Sequence, residues 1–471
     1  MAVINKDYAN IKKGTTDLQR LYAGNTLIWE LESPTPTPTG YSTQYLTFIA
    51  KSTGKFQFSG STTANTISYS TDNGNTWSTP ARVVTIDVNN GDIVLWKGEM
   101  IPNATNGIGK FSESTASFDA QGNVMSLLFG DNYNNQTSLS GKDYAFCVLF
   151  QNSMINSGEN LILPATTLAS TCYYFMFEGC ISLTTAPALP ATTLASNCYF
   201  NMFAYCTSLT TAPQLPATTL AYDCYRFMFR GCTSLTTAPQ LPATTLAESC
   251  YLDMFTGCTS LTNAPQLPAT TLAESCYQGM FNGCTSLTTA PSLPATTLAD
   301  SCYASMFNGC TSLTTAPVLS ATTLASSCYS SMFSGCRSLT TAPQLPATTL
   351  ANYCCREMFY GCTSLTTPPS LPATALTNNC YEGMFEGCTS LTTAPELPAT
   401  TLANSCYYCM FRDCTSLNYI KMLATDISAS GCLYFWVDGV AASGTFVKAA
   451  SMASLPTGFN GIPQNWTVQN E

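Results

Sequence analysis

Residues 172–197 read C-Y-Y-F-M-F-E-G-C-I-S-L-T-T-A-P-A-L-P-A-T-T-L-A-S-N, and the pattern returns at a constant interval down the chain. Cysteines stand at 172, 198, 224, 250, 276, 302, 328, 354, 380, 406 and 432, each 26 residues after the last. A second series with the same period runs 180, 206, 232, 258, 284, 310, 336, 362, 388 and 414. The shared unit is C-Y-x-x-M-F-x-G-C-T-S-L-T-T-A-P-x-L-P-A-T-T-L-A-x-x, and ten copies span 172–431 without an insertion or a deletion. Such strict spacing marks a solenoid, in which every coil must stack on its neighbours in register. Parallel neighbours lie about 4.8 Å apart, so ten coils give a body roughly 50 Å long.

Within one unit, Cys172, Met176 and Cys180 are four residues apart, which predicts one face of a short helical turn. Phe177 extends that apolar face and Gly179 suits the exit of the turn. Ser182 to Pro187 is compatible with extended chain, while Pro187 and Pro190 limit regular strand because proline lacks a ladder donor. The fold class expected is mainly β with short helical turns: a leucine-rich-repeat-like solenoid of ten 26-residue coils, preceded by a small β-hairpin module and a β-sandwich-like domain.

The segment M-F-x-G-C-T-S-L resembles the BspA-like group of bacterial surface leucine-rich repeats, whose units carry a Met/Ala-Phe-x-x-Cys-x-x-Leu signature. The resemblance covers more than half the chain. The chain departs from that group in T-T-A-P-x-L-P-A, which stands where the group has a more apolar strand. Taken alone, the resemblance implies a bacterial cell-surface adhesin.

The flanks point elsewhere. Residues 1–32 contain two short apolar segments around Gly24-Asn25, the pattern of a β-hairpin. Their Gly14…Leu21-Tyr22-x-Gly24…Ile28-Trp29 spacing is similar to the small N-terminal docking modules of tailed-phage fibre and tail proteins. Residues 33–40, S-P-T-P-T-P-T-G, form a semi-rigid linker. Residues 41–131 alternate like a small β-sandwich, with strands at 45–49, 55–58, 83–88 and 93–96, the last two flanking an Asn89-Asn90-Gly91-Asp92 hairpin turn. Residues 132–171 resemble an imperfect first coil, and 432–471 supply a C-terminal cap.

Composition narrows the chemistry. Charged residues are 9% of the chain, against a usual share of about 25%. There is no histidine, and the net charge is −10. Phosphate binding needs clustered Lys and Arg, so nucleic acid is not an expected partner; Lys6, Lys12, Lys13 and Arg20 form only a loose basic group. No run of about 18 apolar residues predicts membrane insertion, and the first residues lack the apolar stretch of a signal peptide, so folding in the cytosol is expected.

The 24 cysteines have a within-unit spacing of eight, which is not a zinc spacing, and no histidine can complete a site. They are expected to be buried thiols that fill a core, with no metal or cofactor. Cys355 and Cys409 break the ladders and are expected to be the exposed thiols. Ser70 to Trp77, S-T-D-N-G-N-T-W, matches the Asp box of sialidase-type propellers, but a single box predicts only a tight turn set by Asp72 and Gly74. The Thr184-Thr185 and Thr192-Thr193 pairs would stack into threonine ladders, and the prolines spoil the flatness that an ice-binding array needs. No residue set for catalysis is expected: without histidine there is no Ser-His or Cys-His pair, and the acids Glu178, Glu248, Asp253, Glu274, Asp300 and Glu357 are scattered through the coils and are not expected to build a repeated site.

Comparing the ten copies with one another locates a candidate recognition face. T-T-A-P hardly varies, whereas the second and third residues after the first Cys, and the residue two before the second, change freely. These positions place Tyr174, Phe175, Phe200, Arg226, Phe227 and Arg230 toward one end of the array. Arg356, Tyr360, Tyr408 and Arg412 fall toward the other. The expected function is that of a non-enzymatic virion protein, made in the host cytoplasm, with other virion proteins docked through its N-terminal module. Its variable face would meet a host cell-surface glycan or protein, and the analogy with phage fibres suggests a homotrimer.

Overall fold

The computed structural model describes residues 44–471 apart from 105, 453 and 454, together with the backbone of four short strands ahead of them. Those strands are β1 (Lys12–Lys13), β2 (Thr16–Asp17), β3 (Arg20–Ala23) and β4 (Thr26–Glu30). β1 pairs antiparallel with β2, and β3 with β4, so the two apolar segments around Gly24-Asn25 do form a hairpin. The rest of the expected 1–32 module and the 33–40 linker lie outside the described residues.

Seven strands follow: β5 (Leu46–Ala50), β6 (Gly54–Gly60), β7 (Ile67–Ser70), β8 (Val83–Val88), β9 (Ile93–Gly98), β10 (Gly109–Lys110) and β11 (Phe118–Asn123). Among the described residues, helix is confined to α1 (Ser126–Phe129) and one 3-10 turn, Gly130–Asn132. After them comes β12 (Ile155–Ile162). One sheet has the order β12-β11-β5-β9-β7 and a second β10-β6-β8. Rings from both meet in one core: Phe48 of β5 stacks on Phe118 of β11 at 4.2 Å and meets Phe56 of β6 edge-on at 5.4 Å.

The expected hairpin between β8 and β9 does not form. β8 pairs with β6 and β9 with β5 and β7, so the Asn89–Asp92 turn carries the chain from one sheet to the other. Turn chemistry sets the reversal, with Asp92 N donating to Asn89 O at 3.0 Å. Pairing is then decided by burial: Val84 and Val88 on one strand and Val94 and Trp96 on the other all enter the shared core.

β12 is the junction. It pairs in parallel with β11, and Ser157 bridges Thr185 of the first 26-residue repeat. From there to the C-terminus, each repeat is hydrogen-bonded to the next. Thr171, Tyr173, Phe175, Phe177 and Gly179 donate to the carbonyls of Ser196, Cys198, Phe200, Met202 and Ala204 at 2.8–3.0 Å, and the set recurs in register down the stack. The amides between them bond locally three residues back, as from Tyr174 to Thr171 and from Met176 to Tyr173.

This arrangement corrects the expected helical turn. Thr171, Phe175 and Gly179 have φ of 59°, 55° and 69°, and a left-handed residue recurs every fourth position in each repeat. A left-handed residue ends a right-handed helix and turns its amide out of the coil. The inward set is nevertheless the predicted one: Cys172, Met176, Phe177 and Cys180 are fully buried. The third left-handed position is glycine in most repeats, since it carries no Cβ to strain there.

Peptide units join these bonds into unbroken chains. Tyr173 donates to Cys198 O, Tyr199 of the same peptide donates to Cys224 O, and the relay continues to Cys432. Five such chains run in parallel, all with N–H groups toward the C-terminal end, so their dipoles add and each bond polarises the next. At that end the Asn460 side chain accepts from Phe435 N at 2.7 Å, ending one chain as an N-cap ends a helix.

Between the chains, identical side chains stack in columns. Phe177, Phe203, Phe229, Phe255, Phe281 and Phe307 follow one another at 5.3–5.7 Å with nearly parallel rings. The second cysteine series has its own role: Cys206 Sγ donates to Phe177 O at 3.1 Å, and Cys232 to Phe203 O at the same distance. On the opposite side, Thr211, Thr237, Asn263, Thr289 and Thr315 make single parallel bridges, and no longer strand forms there. Proline is the reason. Where Asn418-Tyr419-Ile420-Lys421 replaces T-T-A-P, the chain becomes β13 (Tyr419–Met422), which pairs in parallel with β14 (Thr445–Lys448), itself paired with β15 (Thr467–Asn470).

Candidate functional site

The variable positions lie on the face that carries the left-handed residues. Backbone bonds alone fix this face, so its side chains are free to differ from repeat to repeat. The first three repeats present a ring cluster. Tyr174 stacks on Phe200 at 4.9 Å, Phe175 lies 5.7 Å from Phe200, and Phe200 meets Phe227 edge-on at 5.7 Å. Arg226 sits over Phe227 at 4.9 Å and Arg230 over the same ring at 5.1 Å, within cation–π range. All six residues expected at this end therefore come together.

Two neighbours had no part in the sequence expectation. Tyr205 occupies a position that is glycine in most repeats, and its ring lies under Arg230 at 5.8 Å. Asp223, buried, pairs with Arg226 at 3.4 Å. Glu178 accepts from Gln151 Nε2 at 2.6 Å, and burial raises its carboxyl above the ordinary value.

The other four expected residues meet at a second place. Arg356, Tyr360, Tyr408 and Arg412 line a groove of about 530 Å³ that reaches down to Asn308, Ser331 and Ser334. Of its acids, Glu357 shares the repeat of Arg356 and Tyr360, and Glu382 and Glu386 come from the next. Arg356 contacts Glu357 at 3.0 Å and Glu382 at 3.3 Å, while Arg412 pairs with Glu386 across one repeat. Glu386 is buried, and burial raises its carboxyl despite the pull of Arg412. Tyr360 is 44% exposed and Tyr408 stacks on Tyr434 at 5.8 Å. Glu357, one of the scattered acids, thus belongs to a cluster assembled from different positions of successive repeats.

Between the two sites the face is low and polar. The fifth to seventh repeats present Gln278, Gly279, Asn282, Ser305, Asn308 and Ser331 where the ends carry Phe, Tyr and Arg. The expected face is therefore two clusters separated by a trough of small residues.

The remaining candidates resolve as follows. All 24 cysteines are free and buried. Cys355 and Cys409, expected to be exposed, are not: Cys355 takes the place of a column tyrosine in the core, and Cys409 sits beneath the groove rim. Burial pushes thiols such as Cys180 and Cys232 up to about 12. Among the described residues, no group of three cysteines and acids could hold a metal ion, and no helix is long and apolar enough to cross a membrane. The Asp72 carboxylate accepts from the Thr76 hydroxyl at 2.6 Å and the Thr76 amide at 2.9 Å, which closes the loop after β7. Thr184 and Thr185 are exposed, in keeping with an uncharged outer surface.

Comparison with known proteins adds one finding. Residues 222–366 and 329–431 match the BspA type leucine rich repeat region, in six copies. Over 222–431 the repeats are thus similar to the BspA type of leucine-rich repeat, which suggests a surface or adhesin-like repeat protein. No curated protein matches the chain.

Proposed function

We propose that this protein is a non-enzymatic virion structural protein of a tailed phage, a fibre or appendage. Its ten-coil solenoid, carried on a β-sandwich-like domain, would present the variable face to a host surface or to the particle. The observation that carries a recognition role is strain. Phe175, Phe227 and Glu357 occupy left-handed backbone at φ of 55°, 57° and 53°, where a bulky residue costs about 1–2 kcal/mol. Equivalent positions hold Asn, Asp, Ser or Gly in six other repeats, so the fold does not need the large side chains. Among the ten repeats, large side chains at this position stand only within the two clusters, and strain retained at a surface cluster points to a use for that surface.

The docking role rests on residues 1–32, whose Leu21-Tyr22-x-Gly24…Ile28-Trp29 pattern is similar to phage tail and fibre modules. Partners are then other virion proteins, a host cell-surface glycan or protein, and further copies of this chain, a trimer by analogy with phage fibres. The second reading, a bacterial cell-surface adhesin, is favoured by the BspA-type match.

Mass spectrometry of purified virions, beside protease shaving of the host cell surface, separates the two. Peptides of this chain are expected in the virions, and their presence only in the shaved fraction replaces the first reading with the second. Arg226→Ala combined with Phe227→Ala is expected to lower host adsorption or impair particle assembly. Unchanged adsorption and assembly would overturn the role of this face.

A further inference from the structure

The second cluster has a chemistry of its own, and the following rests on the recognition role given to this face. We infer that the groove between Arg356, Tyr360, Tyr408 and Arg412 binds an uncharged, polyhydroxylated ligand: a neutral oligosaccharide lying along the stack.

The charges decide against an anion. Both arginines already touch carboxylates: Arg356 those of Glu357 and Glu382, and Arg412 that of Glu386. A sialylated or sulfated ligand would have to displace these pairs and then face three glutamates with two arginines. A lipid or an apolar peptide anchor is excluded by the lining, which contains no aliphatic side chain to receive it.

What remains suits hydroxyl groups. Each hydroxyl both donates and accepts, and paired guanidinium and carboxylate groups offer a fixed acceptor beside a fixed donor. Ser331, Ser334 and Asn308 continue this lining at small volume, so the groove opens onto the trough of the middle repeats. Tyr360, 44% exposed, offers a ring whose body is apolar and whose tip is polar, suited to the C–H face of a sugar. A volume of about 530 Å³ falls within the range of sites that hold small ligands.

The test is an array of neutral, sialylated and sulfated oligosaccharides probed with the full chain. The wild type is expected to retain neutral glycans, with binding unchanged by salt. Tyr360→Ala, an exposed change that leaves the core intact, is expected to weaken binding about tenfold or more, a loss of about 1.4 kcal/mol. Phe227→Ala, in the other cluster, is expected to leave it unchanged. An array on which no neutral glycan is held, one on which only charged glycans are held, or binding indifferent to Tyr360→Ala would each overturn the inference. Host adsorption measured in parallel separates the two readings. If the array is blank but adsorption still depends on Arg226 and Phe227, the glycan inference fails and the recognition role stands; if neither is seen, both fail.

Discussion

Phe281 lies in the middle of the phenylalanine column, fully buried, with Phe255 and Phe307 each 5.7 Å away and their rings within 3° and 7° of parallel. Phe281→Ala removes a ring from both contacts and leaves a hole that two flanking repeats cannot close, because their backbones are pinned by inter-repeat hydrogen bonds. Buried Phe→Ala changes cost about 3–5 kcal/mol, part of which is the loss of ring contacts worth about 0.5–1.5 kcal/mol each. In a compact domain that loss would lower one transition. Here each repeat touches only its neighbours, so stability is a sum of repeat and interface contributions, and a deficit placed at one interface can divide the array. Urea titrations followed by hydrogen–deuterium exchange should show peptides on the two sides of residue 281 losing protection together in the wild type. In Phe281→Ala the C-terminal side, which lacks the support of the β5–β12 sheet, should unfold at lower urea than the N-terminal side. Phe281→Leu, which keeps most of the volume, should cost less than about 1.5 kcal/mol and leave the transition undivided. A loss below about 1 kcal/mol in Phe281→Ala, or both sides still unfolding together, would refute the nearest-neighbour reasoning.

Three further outcomes follow from the structure. Asn460→Ala removes the acceptor for Phe435 N and should cost about 1 kcal/mol, seen as faster exchange at that amide and little change beyond the last two repeats. Native protein should give almost no colour with a thiol reagent at pH 8, because the thiols are buried out of its reach, and all 24 should react once guanidinium unfolds the chain; prompt reaction of Cys355 or Cys409 would contradict their placement. The Thr76 hydroxyl and amide hold the Asp72 carboxyl down at about 2, below its unfolded value. A depressed carboxyl stabilises the folded turn above the unfolded pKa, so the loop after β7 should keep its amide protection at pH 5 and lose it as pH falls from about 4 through 2. Asp72→Asn should remove that dependence.

Much of this was legible because translation by 26 residues repeats every contact. The cysteine, Met-Phe and leucine positions announce their own burial, and the cysteines, the Met-Phe pairs and the first leucine of each unit are buried. The backbone path was not legible, because an apolar residue every fourth position suits a helical turn and equally suits a run of turns with a left-handed residue every fourth position. The signal that separates them is polar: Asn197, Asp223, Ser249 and Asn379 at one left-handed place, and Gly179, Gly231 and Gly257 at another. A helix interior would favour none of these. The exchange of partners between β8 and β9 was hidden for a different reason, since a turn sequence fixes a reversal but not which sheet receives the strand that follows.

The groove shows where the period could have been pressed further. Arg356 and Glu382 are 26 residues apart, and so are Glu386 and Arg412, so adding the period to a charged residue finds its partner in the next repeat. Searching for acids that recur at one position misses this, because a pair across an interface needs opposite charges at the same position in successive units. The same geometry explains how one rigid scaffold carries two chemically different clusters. Five main-chain bonds recur at each interface on this face whatever the side chains, so a side chain can change without moving its neighbours. The cost of doing so is local: about 1–2 kcal/mol where a bulky residue takes a left-handed position, set against five backbone bonds at each interface, each worth about 0.5–1.5 kcal/mol. A few such residues are tolerable when they fall in different repeats, as Phe175, Phe227 and Glu357 do. Tyr205, at φ 61° in the repeat between those of Phe175 and Phe227, shows that neighbouring repeats each accept one bulky left-handed residue, while the fifth to seventh repeats hold only Gly and Ser at these positions.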